Sequence, residues 1–304
     1  MLSALLGLPA LVAPSTSRWR QAVYIEDTDA FGMTFYANYL RFYERAVCHS
    51  LGMSGCARAA RSEGALIGVD ALTGMRYSSP ALLGDEIDAF VSVRGQDALG
   101  RIVCEATLVR ASDAAVLNRV SDLRVAFRAL CDGSRRDPPW AYLQCHSELP
   151  LLQPTGVSAD GVPPFVSLPT GLALQADELG GHGALTMHTA LRYFERQRTR
   201  LIGGPEELKL LQEEGINVVV GRVDRAELFD DAASSTLGVP VELRCRLLLR
   251  ARNTIVVFEQ WMLNAETSTP LARADITCLC MNASDGKMAA VPKRLRENLS
   301  RWQI

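Results

Sequence analysis

No CxxC pair occurs among the eight cysteines, which stand apart as Cys48, Cys56, Cys104, Cys131, Cys145, Cys245, Cys278 and Cys280. Structural zinc takes four closely spaced ligands, so no metal site is expected. Cys278 and Cys280 would share one face of a strand, but two thiols do not complete a site. The pattern reads as reduced, buried thiols of an intracellular protein. Neither charge is in excess: 32 Lys and Arg against 34 Asp and Glu leave a formal −2. That removes the general attraction on which nucleic-acid and anionic-membrane binding rest. A run of about 20 apolar residues is also missing, which excludes a transmembrane span of the ordinary helical kind.

Acids are absent before Glu26. Leu2 to Pro14 is mainly apolar, and Ser15, Thr16, Ser17, Arg18 and Arg20 follow. A secretory signal carries its positive charge ahead of the apolar stretch, and here the order is reversed. The expected location is the cytoplasm, or an organelle if this acid-poor segment is a transit peptide.

What is present is 304 residues with 48% apolar and 22% charged side chains, room for two domains of about 150 residues with ordinary cores. An internal repeat supports that division. Leu40-Arg41-Phe42-Tyr43-Glu44-Arg45 returns as Leu191-Arg192-Tyr193-Phe194-Glu195-Arg196, and the same spacing pairs Gly52 with Gly203 and Gly64 with Gly215. Further on, Glu105 matches Glu259 and Arg119 matches Arg273, with three extra residues placed near Asp230 to Ser235. Each copy reads as a short strand (Arg20 to Ile25; Leu172 to Ala176), a Gly-containing loop and a helix (Tyr36 to Leu51; Met187 to Ile202), each helix followed by a Gly. Strand-like runs come next: Leu66–Arg76, Glu86–Arg94, Arg101–Arg110 and Val116–Leu130, then Ile216–Leu228, Val239–Arg250, Thr254–Leu263 and Pro270–Met281. One enclosed helix followed by consecutive antiparallel strands predicts an α+β domain whose sheet wraps a helix. Residues 18–137 form the first expected domain and 166–304 the second. The six prolines between Pro138 and Pro164 mark 138–165 as the linker.

The stretch Tyr24-Ile25-Glu26-Asp27-Thr28-Asp29-Ala30-Phe31-Gly32, continuing through Tyr36 to the Phe42-Tyr43-Glu44-Arg45-Ala46 helix, resembles the 4-hydroxybenzoyl-CoA thioesterase family of hotdog proteins. It is most similar to the branch that includes Tol–Pal-associated acyl-CoA thioesterases. The resemblance implies two tandem hotdog domains, each an antiparallel sheet around a long helix, paired as an intramolecular double hotdog with an acyl tunnel between them. It implies an acyl-thioester hydrolase that splits acyl-CoA or an acyl carrier protein thioester into free acid and thiol, without cofactor or metal. Asp29 would be the catalytic carboxylate, acting as nucleophile or as general base toward water. Gly32 would let the backbone turn into the helix, whose N-terminal amides, that of Tyr36 first, would receive the oxyanion. Asp27, Glu44 and Arg45 read as structural.

The second copy departs at this point. Aligning its strand sets Val23 against Leu172 and Asp29 against Glu178, with a loop two residues longer. Glu178-Leu179-Gly180-Gly181-His182 keeps an acid ahead of Gly, so Glu178 and His182 are candidates for a second site. His188, at the helix start, is a further candidate, although a lone His there is more often a satisfied polar side chain. Arg58, Arg61, Arg76, Arg135 and Arg136 could meet the phosphates of the carrier or simply face solvent. Expected partners are the thioester substrate and a second double-hotdog unit, with no nucleic acid. Two other functions stay open: a non-catalytic acyl-thioester binding or scaffold protein, and a hotdog dehydratase. The dehydratase needs a His-plus-Asp pair, and the nearest His of the first copy is His49, at the far end of its helix.

Overall fold

A computed structural model describes residues 16–29, 32–52, 64–129, 135–136, 166–180, 183–229, 237–250 and 254–302. Candidates Arg58, Arg61 and His182, the segment Leu2 to Pro14, most of the linker and the extra residues near Asp230 lie outside them.

The first half begins with β1 (Thr16–Ala22), then α1 (Tyr39–Ser50), β2 (Ala65–Tyr77), β3 (Glu86–Gln96), β4 (Ile102–Arg110), β5 (Val116–Ala129) and the two-residue β6 (Arg135–Arg136). The second half runs β7 (Val166–Ala173), α2 (Met187–Ile202), α3 (Pro205–Glu213), β8 (Ile216–Leu228), β9 (Pro240–Arg250), β10 (Ile255–Asn264), β11 (Pro270–Asn282), β12 (Met288–Ala289) and α4 (Lys293–Ser300). The strands form one sheet in the order β1-β3-β4-β5-β2-β8-β11-β10-β9-β7, with β6 on β5 and β12 on β11. Read outward from its middle, the order is the same in both directions. The halves meet where β2 and β8 pair antiparallel, from Ala71 opposite Glu227 to Arg76 opposite Arg222.

Both long helices are apolar on the side the sheet encloses. Tyr39, Leu40, Phe42, Tyr43, Ala46 and Val47 of α1 are buried, as are Met187, Ala190, Leu191, Tyr193, Phe194, Leu201 and Ile202 of α2. Each large side chain among them contributes about 1.5–3 kcal/mol on leaving water. Gly203, at φ 127, ends α2 as its cap. The short α3 and α4 lay outside the sequence expectation, although Pro205 followed by Glu206 and Glu207 is a helix-start signature.

The first strand is a correction. It lies at Thr16–Ala22, earlier than Arg20 to Ile25, so Thr16, Ser17, Arg18 and Arg20 belong to the sheet. Alternation puts Arg18 and Arg20 on one face, where both bind Asp88 of β3, Arg18 Nη2 at 2.7 Å and Arg20 Nε at 2.9 Å. These hydrogen bonds, from Arg20 first and then Arg18, hold the Asp88 carboxyl well below the usual range. A depressed carboxylate stabilises the fold above its unfolded value near pH 4, and that contribution is lost as pH falls further. Asp88→Asn should therefore lower the melting temperature at pH 7 and flatten the loss of stability between about pH 4 and pH 2 in melts across that range.

The solvent-facing side of the sheet carries ion pairs such as Arg119 with Glu105 (2.5 Å) and Arg246 with Glu259 (2.5 Å), which accounts for both repeated glutamates. Among the described residues no helix is long and apolar enough to cross a membrane.

Candidate active site

The loop after β1 closes on itself. The Asp29 amide donates to the Met33 carbonyl (2.7 Å), the Gly32 amide to the Asp29 carbonyl (3.1 Å), and the Met33 amide to Asp29 Oδ1 (3.2 Å). Gly32 sits at φ +71 with open space around a notional Cβ, so backbone conformation rather than crowding selects glycine there. Contacts from Leu83 N to Gly32 O (3.0 Å) and from Thr34 N to Ala81 O (2.7 Å) hold the loop against the β2–β3 connection. Asp29 is half-buried at this turn. Exposed apolar side chains of Tyr24, Ile25, Leu82 and Leu83 stand beside it.

The chain then enters a single 3-10 turn, Tyr36–Asn38, that leads into α1. Its amides divide into two groups. Phe35 donates to Asp27 O (2.9 Å) and Asn38 to Phe35 O (2.8 Å), whereas the amides of Tyr36 and Ala37 find no acceptor among the described residues. Unpaired N–H groups at a helical start can bind negative charge. The Tyr36 side chain turns away into the other half, its hydroxyl donating to Leu191 O (2.5 Å) and its ring lying 5.0 Å beneath the buried Arg198 guanidinium. Asp27 is fully buried and accepts the Tyr24 amide at Oδ2 (3.1 Å), the structural part expected of it. Glu44 accepts the Val69 amide (3.0 Å), tying α1 to β2, and burial pushes its carboxyl up to about 7. Arg45 is exposed.

The second half repeats the loop at a constant spacing of 151 residues. Glu178 N bonds Gln175 O as Asp27 N bonds Tyr24 O, and Gly180 N bonds Ala184 O as Asp29 N bonds Met33 O. Gly183 N bonds Gly180 O as Gly32 N bonds Asp29 O. The alignment of Asp29 with Glu178 is therefore wrong by two positions, and the loop is not longer: Gly180 stands where Asp29 stands, and Glu178 where Asp27 does. Like Asp27, Glu178 is buried. Its Oε2 accepts the Tyr193 hydroxyl (2.5 Å) and its Oε1 the Arg196 guanidinium. Burial would raise its carboxyl, but the bonds from Tyr193 and Arg196 outweigh this and keep it below its ordinary value.

Of the phosphate candidates, Arg135 is committed to Asp70 (2.6 Å) and Arg76 is exposed on β2. Arg41 and Arg45 of α1 line a cleft of about 370 Å³ with Trp19, Glu44, Cys48, His49 and Ile67. Arg41 comes to 3.9 Å from Asp27 Oδ1, so the cleft adjoins the Asp29 loop. The sequence offered Arg45 as structural and gave no sign of Arg41, because both fall within the repeated helix motif. Among the described residues no group of three or more His, Cys, Asp or Glu could hold a metal ion. Cys278 and Cys280 are free and buried, and burial pushes their thiols up to about 12 and about 11.

No protein-family profile matches the chain. It is 34% identical over 119 residues to the acyl-CoA thioester hydrolase YbgC of Escherichia coli O6:H1, a match spanning 37% of this chain and 88% of that protein. The Shigella flexneri protein of the same name matches to the same extent. Among solved structures, a putative oleoyl thioesterase from Lactobacillus plantarum aligns with a TM-score of 0.62 at 10% identity, covering 88% of this chain and 96% of its own. The 12:0-ACP thioesterase of Umbellularia californica aligns at 0.56 and 11% identity, covering 87% and 94%. At such identities these structures speak for the fold.

Proposed function

This chain belongs to the family of hotdog thioesterases that includes the acyl-CoA thioester hydrolase YbgC, and on that footing we propose that it hydrolyses acyl thioesters at Asp29. The supporting observation is an ionisable carboxylate held by its own loop, followed by a helical turn whose Tyr36 and Ala37 amides are unpaired among the described residues and whose Phe35 amide ties it back to the Asp27 carbonyl. The thioester carbonyl oxygen binds those amides, which stabilise it most when it becomes negative. In one route Asp29 takes a proton from water as the water oxygen attacks the carbonyl carbon. The tetrahedral adduct collapses, the C–S bond breaks, and the thiolate leaves and takes a proton. In the other route the Asp29 carboxylate attacks directly, expels the thiolate and leaves a mixed anhydride that water then splits. Either route yields a free acid and a thiol.

The two halves, residues 18–137 and 166–304, are read as hotdog domains paired within one chain, which keeps the second permanently at hand. The first bears the site. Gly180 has no carboxylate to offer, and Glu178 serves as the structural counterpart of Asp27. Glu178→Gln should leave kcat within about twofold of wild type, whereas a catalytic acid would lose far more.

The carrier, CoA or acyl carrier protein, and the acyl length are tested by thiol release across chain lengths with both carriers. Wild type that binds acyl-CoA yet releases no thiol would replace this reading with that of a binding protein.

A further inference from the structure

Asn38 holds the two parts of the Asp29 site together. Its Nδ2 donates to the Asp27 carbonyl (2.8 Å), the same carbonyl that accepts the Phe35 amide (2.9 Å). The start of the helical turn is thereby clamped to the loop that carries Asp29. The other end of the Asn38 amide faces the second half, where Oδ1 lies 2.6 Å from Nε2 of His188, the second residue of α2. A carbonyl can only accept, so Nδ2 must be the group aimed at Asp27 and Oδ1 must be the acceptor toward His188. His188 then carries its proton on Nε2.

The bridge runs in one direction only. Ala37, which matches His188 at the 151-residue spacing, has no polar side chain to send back. Thr189, which matches Asn38, turns its hydroxyl onto the Glu178 carbonyl of its own loop. At this pair of equivalent positions the half without the carboxylate reaches into the half that has it, and among the described residues no counterpart contact runs back from Ala37 to Thr189.

We propose that His188 is a positioning residue for the Asp29 site: by donating to Asn38 it fixes the clamp that sets the Tyr36 and Ala37 amides against the Asp29 carboxylate. The proposal rests on the thioesterase reading and gives the second half a part in the chemistry of the first. Arg41 and Arg192 flank the imidazole, and burial first, then these two charges, push its pKa down to about 4. The ring is therefore neutral through the range in which hydrolysis is assayed, and the bond to Asn38 Oδ1 selects the tautomer with its proton on Nε2.

The test compares wild type, His188→Phe and His188→Gln on one acyl-CoA in kcat, KM, pH profile and thermal melts. The Phe variant keeps bulk without a donor and should lose about 10–100-fold in kcat, because small displacements of reacting groups act on the rate. Its KM should stay within about threefold, with little change in melting temperature. Gln places an N–H near the Nε2 position and should recover most of the loss, and all three pH profiles should keep one shape. Wild-type kcat in the Phe variant overturns the proposal. So does an equal loss in both variants, whether it comes with a missing limb of the pH profile, which would make His188 an acid or base, or with a matching fall in melting temperature. Imidazole ¹⁵N shifts of wild type, assigned against His188→Gln, test the bridge without activity. The Nε2–H tautomer is expected, and Nδ1–H would exclude it. Absence of thiol release by wild type would instead remove the thioesterase reading and leave the tautomer result to decide the bridge.

Discussion

Asp29→Asn is expected to lower kcat for thioester hydrolysis by about 10²–10⁴-fold, the range a positioned acid or base supplies. The melting temperature should stay near that of wild type. The two halves of this expectation come from different atoms of one side chain. Oδ1 accepts the Met33 amide at 3.2 Å and helps hold the loop. Asparagine keeps a carbonyl oxygen that can make the same bond, so the turn that places residue 29 survives. What disappears is the negative charge that, in the proposed mechanism, would attack the carbonyl or take the proton from water. Asp29→Ala removes both and should lose loop stability as well as rate, so the pair of variants separates chemistry from architecture. Thiol release and thermal melts on the same preparations check it.

Asp70→Ala should cost the fold about 3–5 kcal/mol, measured by chemical denaturation, because it breaks a buried ion pair from one side. Asp70 is fully buried in β2, at the register shift between Val69 and Ala71. Its Oδ1 accepts Arg128 Nε at 2.9 Å and its Oδ2 accepts Arg135 Nε at 2.6 Å. Arg128 is itself 2% exposed, so removing the carboxylate deprives a buried guanidinium of a counter-charge. The next residue, Ala71, opens the β2–β8 pairing that joins the halves, so the damage falls on the centre of the sheet. A companion variant, Asp70→Leu with Arg128→Met, should recover most of the loss, since apolar packing often replaces a buried ion pair without net cost. A single-variant loss below about 1 kcal/mol would show that the pair contributes little.

How far the site was legible in the sequence depended on whether a signal was local. The Asp29-to-Tyr36 segment carries its own turn glycine and leads directly into an apolar helix, so its loop could be read in place. The span Met187–Ile202 was readable to the residue because apolar periodicity ends at a capping glycine. The strands of both halves were likewise visible as alternating runs between turn residues. The second loop misled for a physical reason. Glu178 lies ahead of glycines much as Asp29 does, and the short β7 shares too little with β1 to fix the alignment. Only the hydrogen bonds show that Gly180, not Glu178, occupies the position. The start of β1 was hidden in a similar way: the partner of Arg18 and Arg20 is Asp88, some 70 residues away, and nothing next to them in the sequence points to it. The contact from His188 to Asn38 crosses between halves and spans 150 residues. No periodicity within either helix encodes it.

Steady-state thiol release by wild type, Asp29→Asn and Glu178→Gln, run in parallel on one panel of acyl-CoA and acyl carrier protein thioesters, tests the central claim most directly. The account predicts comparable hydrolysis by wild type and Glu178→Gln and a loss of about 10²–10⁴-fold in Asp29→Asn. Wild-type rates in Asp29→Asn, or a comparable loss in Glu178→Gln, would contradict it.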